Sequence, residues 1–233
     1  MLILACDTSG PQASVALWSD GELAAEIVIQ RSQPHAVTLL PAVEDLLDRC
    51  DLGPTEIDGF ACATGPGSFT GIRIGISSIK AMAYGTGCPA VGVSTLEAMA
   101  WPYLRCPDMI VLPMLDARNQ RVFAGAWLNG EPLLPEDAWQ TSDLAGTIAD
   151  LPVRPGSLLL VGHRPETFFD ASGQAVIPGT IVAPEALSQS RASVIAEIAE
   201  IRLREDPSAS PHLLLPQYLV VSQAERRSAG GRS

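Results

Sequence analysis

Long apolar runs are missing from this chain of 233 residues. Nothing in it approaches the ~18 consecutive apolar residues that a membrane-spanning helix needs. The opening residues, "MLILACDTSG", have no basic leader, extended apolar core or small-residue cleavage site, so the expectation is a cytoplasmic protein that is not exported and makes no membrane contact. Cysteine is sparse: the five residues at 6, 50, 62, 88 and 106 are odd in number and form no C-x-x-C pair. That speaks against a disulfide framework and for small core residues in a reducing compartment. The three histidines, at 35, 163 and 212, each stand alone, and neither H-E-x-x-H nor G-x-S-x-G occurs, so nucleophilic hydrolysis finds little support. Positive charge is in deficit. A formal net charge of −11 makes the surface as a whole repel phosphate backbones, so any nucleic acid this protein serves has to be held by something else. The locally basic tail "QAERRSAGGRS", with Arg226, Arg227 and Arg232, reads as a solvated, frayed terminus.

What is present is an ordinary globular composition, 47% hydrophobic, enough for one large core or two small domains sharing an interface. "LILACD", "ASVALW" and "ELAAEIVI" read as three antiparallel strands separated by the turn chemistry of "TSGPQ" and "SDG". From Pro34 the period changes. Val37, Leu39, Leu40, Val43, Leu46 and Leu47 form the stripe of an amphipathic helix that closes near "CDLG". A strand at Ile57 to Thr64, a glycine loop, a helix stopping at Gly85, a short strand "PAVGVS" and a helix capped by Ser94 or Thr95 follow. A shift of 109 positions lays Asp7 on Asp116, Trp18 on Trp127, Gly21 on Gly130 and Glu22 on Glu131, the punctuation a duplicated strand-turn-strand unit would keep. The expected class is α/β, built from a duplicated three-strand plus helix unit, with lobes 1–103 and 104–233 joined near "WPYLRCPDM". In the second half a helix near Ser142 to Leu151, a strand at "SLLLVG" and a helix at Ala192 to Arg204, with Ile195, Ile198 and Ile201 on one face, are expected. The Pro-rich segment after Asp206 carries no readable pairing, and it can return to pack on the first lobe.

"GPGSFTGIRIG", Gly65 to Gly75, sits where a strand hands over to a helix, the place where phosphates bind in many nucleotide folds. It lacks the Lys and hydroxyl that follow the last glycine of a Walker A loop, since Ile72 and Arg73 follow Gly71. Thr70 stands where a dinucleotide fingerprint needs its third glycine, and Pro66 removes one N–H donor. Two readings stay open: weak anion binding, or a tight turn in which Gly65 and Gly67 take positive φ and Ser68 caps the helix. Gly71, Gly75 and Ser78 also mark a surface that lets another element approach closely, inside the fold or from a partner chain. Asp7 ends the first strand either as an Asx turn or as a holder of metal-bound water. Asp116 with Arg118 is its symmetry mate, facing the cleft or forming a structural salt bridge. His35 has Leu39 one turn later where a metal site would want a second histidine.

The stretches "ILACDTSGPQASVAL", "SQPHAVTLLPAVEDLL", "ATGPGSFTGIRIGISSIKAMA", "VGVSTLEAMA", "LDARNQRVF" and "LPQYLV" resemble the TsaB (YeaZ) family, bacterial proteins needed to make threonylcarbamoyladenosine in tRNA. The resemblance covers nearly all of residues 1 to 125; Gln120 and Arg121 stand where an acidic residue is commoner. It implies a two-lobed actin/hexokinase/sugar-kinase-like (ASKHA) fold. It also implies a non-catalytic subunit whose helices, with His35, Leu39, Val43, Gly71, Gly75, Ser78, Ile79 and Met82, pair with a TsaD-like transferase. On that reading ATP and metal sit on the TsaD-like partner and this chain holds no cofactor. A TsaE-like ATPase joins through the complex, tRNA is met only through the complex, and a homodimer forms when the partner is absent. The alternative is an enzyme of the same fold, a metal-dependent glycoprotease or a small-molecule kinase.

Overall fold

A computed structural model describes residues 1–30, 34–151, 156–163, 165–169 and 172–219; the basic tail lies outside the described residues. Both halves begin with the same hairpin pair. β1 (Leu2–Asp7), β2 (Ala13–Ser19) and β3 (Glu22–Ile29) form an antiparallel meander, and β6 (Ile110–Arg118), β7 (Arg121–Leu128) and β8 (Glu131–Gln140) repeat it. Asp20 and Gly21 take φ of 48° and 89°, Asn129 and Gly130 take 52° and 85°, so each second hairpin turns on two successive left-handed residues. Trp18 pairs with Leu23 and Trp127 with Pro132, the same register after the same turn.

Each meander is then extended by parallel strands that return through crossover segments. In the first half α1 (His35–Arg49) leads to β4 (Gly59–Gly65), and α2 (Phe69–Thr86) leads to β5 (Ala90–Ser94), giving the order β3-β2-β1-β4-β5. In the second half α4 (Thr141–Ala149) leads to β9 (Leu158–Gly162), and β10 (Ile181–Val182) completes β8-β7-β6-β9-β10, the same order. This is a duplicated, two-lobed α/β architecture in which the two halves share one strand order.

α1 and α2 cover one face of the first sheet, with Leu39, Val43, Leu46, Ile72, Ile76 and Ile79 packed on Leu4, Cys6, Phe60 and Cys62. The other face is covered by α5 (Ala192–Glu205), which belongs to the second half by sequence and to the first sheet by packing. The fit depends on small residues: Ala192, Ala196 and Ala199 lie on Ala5, Ala16, Ala61 and Ala63. α3 (Thr95–Ala100) sits on the second sheet, Leu96 and Met99 against Val111, Trp127 and Val161, and so joins the lobes. α4 fills the opposite face with Leu144 and Ile148.

Two expectations need correction. Ile195 and Ile198 are buried but Ile201 is 44% exposed. Two steps of three residues drift about 120° around a helix, so the inward row runs through Ala199 and Leu203 instead. α2 continues through Gly85 and ends at Thr86, because Gly87 supplies the left-handed cap at φ 74°.

Candidate functional site

The glycine loop is closed by the chain that faces it. Gly65 and Gly67 adopt φ of 108° and 155°, which a side chain would resist, and the Ser68 hydroxyl accepts the Gly71 N–H at 3.2 Å as the N-cap of α2. The Ser68 N–H donates to the Ser9 carbonyl at 2.7 Å. A Cβ at Gly67 would collide with that same Ser9 carbonyl, and one at Gly71 with the carbonyl of Thr8. The space in front of the loop therefore holds two carbonyl oxygens of the first hairpin, which repel an anion where a phosphate cradle would attract one. The Thr8 hydroxyl donates to the Gly71 carbonyl at 2.7 Å and completes the clasp.

Asp7 is 2% exposed and accepts the Ser9 N–H at 2.8 Å, an Asx turn that shapes the clasping hairpin. Asp116 does the same for the Arg118 N–H at 2.9 Å. Asp116 and Arg118 are exposed, and His163 Nε2 lies 4.0 Å from Asp116, an ion pair only when the imidazole is protonated. Among the described residues no three His, Cys, Asp or Glu side chains gather closely enough to hold a metal ion. Burial pushes the Cys62 thiol up to about 12 and the Cys6 thiol well above its usual value, so both stay protonated as core residues.

The residues singled out on α1 and α2 divide into two sets. Leu39, Val43, Gly71, Gly75 and Ile79 are buried against the lobe's own sheet and hairpin. A Cβ at Gly75 would stand 2.6 Å from the Thr8 hydroxyl, so the small-residue spacing admits the first hairpin rather than a second helix. Ser78 and Met82 are half-buried, and His35 Nε2 donates to the Gly10 carbonyl at 3.0 Å, fastening the start of α1 to the same hairpin. What faces outward is a different row: Val37 and Leu40 on α1, Phe69, Arg73 and Tyr84 on α2.

The segment after Asp206, left in the sequence as one that can return to the first lobe, does so, and residues 206–219 lie as a strap across α2. Leu214 is buried in the α1–α2 core, and the Gln217 N–H donates to the Thr64 carbonyl at 2.7 Å. Tyr84 Oη and His212 Nδ1 share a hydrogen bond of 2.6 Å, and Lys80 Nζ donates to the His212 carbonyl at 3.3 Å. Arg73 Nε donates to Tyr218 Oη at 2.8 Å while its guanidinium lies 3.8 Å over the Phe69 ring, which stacks on Tyr218. Leu213 and Leu215 stay 78% and 67% exposed, so the strap adds apolar surface beside the outward row. Proline and short apolar runs without period left no signal from which the contacting residues could be read.

With the geometry described, the chain can be compared with known proteins. The family model for TsaD, tRNA N6-adenosine threonylcarbamoyltransferase, matches residues 23–227. The tRNA threonylcarbamoyladenosine biosynthesis protein TsaB of Bacillus subtilis is 32% identical, across 97% of each chain. The Escherichia coli protein of the same name is 34% identical over 69% of this chain and 81% of its own. Among solved structures, YeaZ from Pseudomonas aeruginosa superposes with a TM-score of 0.77 at 26% identity, covering 94% of this chain and 99% of the other. The Bacillus subtilis match runs across both lobes, and the chain belongs to the TsaB family of tRNA threonylcarbamoyladenosine biosynthesis proteins.

Proposed function

We propose that this chain is the non-catalytic subunit that docks on and activates a TsaD-like transferase, which attaches threonylcarbamoyl to the adenosine beside the tRNA anticodon. The observation that carries the reading is the clasp. The positions where a relative of this fold would cradle phosphate are filled by the Thr8 and Ser9 carbonyls, and an apolar row stands outside them on α1 and α2. The docking face is Val37, Leu40, Phe69 and Tyr84, with His35, Ser78 and Met82 at its base; the buried Leu39, Val43, Gly71, Gly75 and Ile79 support it from beneath. ATP and metal belong to the partner, a TsaE-like ATPase joins the assembly, and tRNA is gripped by the complex rather than by this acidic chain. The setting is the cytoplasm; among the described residues no helix is long and apolar enough to cross a membrane. Without the partner, the same face pairs two copies of the chain.

The test is size-exclusion chromatography with mass detection, mixing this chain with the TsaD-like protein of its own organism, with and without ATP. A one-to-one peak that Leu40→Glu abolishes, with the variant folded, supports the reading. Unchanged complex formation by Leu40→Glu moves the face elsewhere. Turnover of ATP by the purified chain alone, lost in Asp7→Ala, would replace the reading with an enzyme of the same fold.

A further inference from the structure

Away from the docking face, an open cavity of about 420 Å³ lies where the two lobes and the strap meet. Its polar side has a residue from each: Ser94 and Glu97 at the start of α3, Glu136 on β8 and Gln217 on the strap. The two carboxylates differ in how they are compensated. Glu97 is neutralised by Arg202, whose Nη2 lies 2.7 and 2.6 Å from its two oxygens. Glu136 takes its hydrogen bonds from neutral groups, and the Arg202 charge acts on it only from beyond ion-pair distance. Gln217 Nε2 donates to it at 3.0 Å, and the Ser94 hydroxyl, which already accepts the Leu96 and Glu97 N–H groups, has its proton left for the same carboxylate. Among the described residues Glu136 forms no ion pair.

The apolar part of the lining is Pro132, Leu134 and Pro135, with Trp127, only 6% exposed, behind them. Gly125 brings the two sides together: a Cβ there would stand 3.0 Å from the Trp127 ring and 3.1 Å from Glu136 Cγ. A carboxylate held by neutral hydrogen-bond donors beside an apolar surface attracts a cation by charge and gives its apolar body a place to rest. The volume falls within the roughly 300–1,000 Å³ of small-molecule sites. Burial pushes the Glu136 carboxyl above its usual value, with the Glu97 charge adding to the shift and Ser94, Gln217 and Arg202 opposing it.

We propose that this cavity binds a small organic cation, an amidinium or guanidinium group on a short apolar body, with its head on Glu136 and its body against Pro132, Leu134 and Pro135. Occupancy also reaches the strap. The ligand takes over the oxygen that Gln217 Nε2 now holds, so the strap loses its tie to the second lobe while Gln217 keeps its backbone bond to Thr64. An arginine side chain of a docking protein offers the same head group, and the experiment separates the two sources.

Isothermal titration of the full chain would use benzamidine and agmatine as free cations, benzamide as the uncharged isostere, and a blocked tetrapeptide with a central arginine. The expected result is saturable binding of the free cations, none of benzamide, and a loss of at least about tenfold in Glu136→Gln, whose folding is checked by circular dichroism. Glu44→Gln, on the exposed side of α1, should bind as the wild type does. Equal binding of benzamide, equal binding by Glu136→Gln, or no heat with either free cation at millimolar concentration overturns the proposal. Binding of the peptide in the absence of free-cation binding overturns the small-molecule source in favour of a protein side chain. Loss of partner binding in Leu40→Glu leaves this titration unchanged, so the two readings fail separately.

Discussion

Thr8 and Gly71 are interlocked: the Thr8 hydroxyl donates to the Gly71 carbonyl at 2.7 Å, and the Thr8 carbonyl oxygen occupies the place where a Cβ on residue 71 would stand. The glycine therefore answers to the first hairpin, and a methyl group there must force backbone apart from backbone. Gly71→Ala is expected to cost about 1–3 kcal/mol of stability. Gly85→Ala, on the same helix with nothing within 4 Å of its Cβ, is expected to gain about 0.5–1 kcal/mol. Urea unfolding of the two variants side by side decides it, and a Gly71→Ala as stable as the wild type would show that the loop has slack.

Glu136 makes stability depend on pH in a defined direction. Its carboxyl is raised above the usual glutamate value, first by burial, with Glu97 adding to the shift and Ser94, Gln217 and Arg202 opposing it. A raised acid favours the folded state while protonated, and that contribution is lost as pH rises through the raised value. Glu136→Gln keeps the shape and removes the charge. It should match the wild type in thermal midpoint at pH values below the ordinary glutamate range and exceed it at neutral pH. A constant difference across the range would show that Glu136 is well solvated.

Tyr84 and His212 hold the strap at its centre. Tyr84→Phe removes the hydroxyl and keeps the ring beside the imidazole, so the loss is that of one exposed hydrogen bond, about 0.5–1.5 kcal/mol of local stability. Hydrogen exchange should speed up at residues 212–217 and stay unchanged in β1 and β4. Uniform exchange across both regions would mean that the strap opens only with the whole lobe.

Arg202 ties α5 to the start of α3, with two bonds to Glu97 and one to the Gly92 carbonyl. Its side chain is 37% exposed and that of Glu97 21%, so solvent screens part of the pair. Arg202→Met is expected to cost roughly 1–3 kcal/mol, because it strands Glu97 beside the cavity. Adding Glu97→Gln should restore at least half of the loss; no recovery would place the effect in the packing of the arginine stem.

The duplication could be read from the sequence because the shift of 109 positions kept a hairpin turn, a tryptophan and a strand-ending aspartate together, and these are features local chemistry dictates. The loop chemistry was equally local: positive φ at Gly65 and Gly67 and the cap at Ser68 need only their neighbours. The direction in which Gly71 and Gly75 face was not legible, since spacing says that something approaches closely but not what. Nor was the cavity, because Ser94, Glu136 and Gln217 are brought together by three separate parts of the fold. The strap combines both difficulties, a segment without period docking on a surface far away in sequence.

The placement of α5 also bears on how the chain is made. Gln12 Nε2 donates to the Ser190 carbonyl and the Ser14 hydroxyl accepts the Ala192 N–H, each across 178 positions. The first sheet leaves the ribosome early, yet its alanine-lined face has no cover until α5 has been synthesised. For most of translation that face is bare, and release of a chain broken off before Ala192 would set free a sheet with one side open to water. Completion of the lobe that emerges first is thus a late event, and the price of sharing a layer between the halves is a nascent chain that depends on holding its first strands out of contact with others.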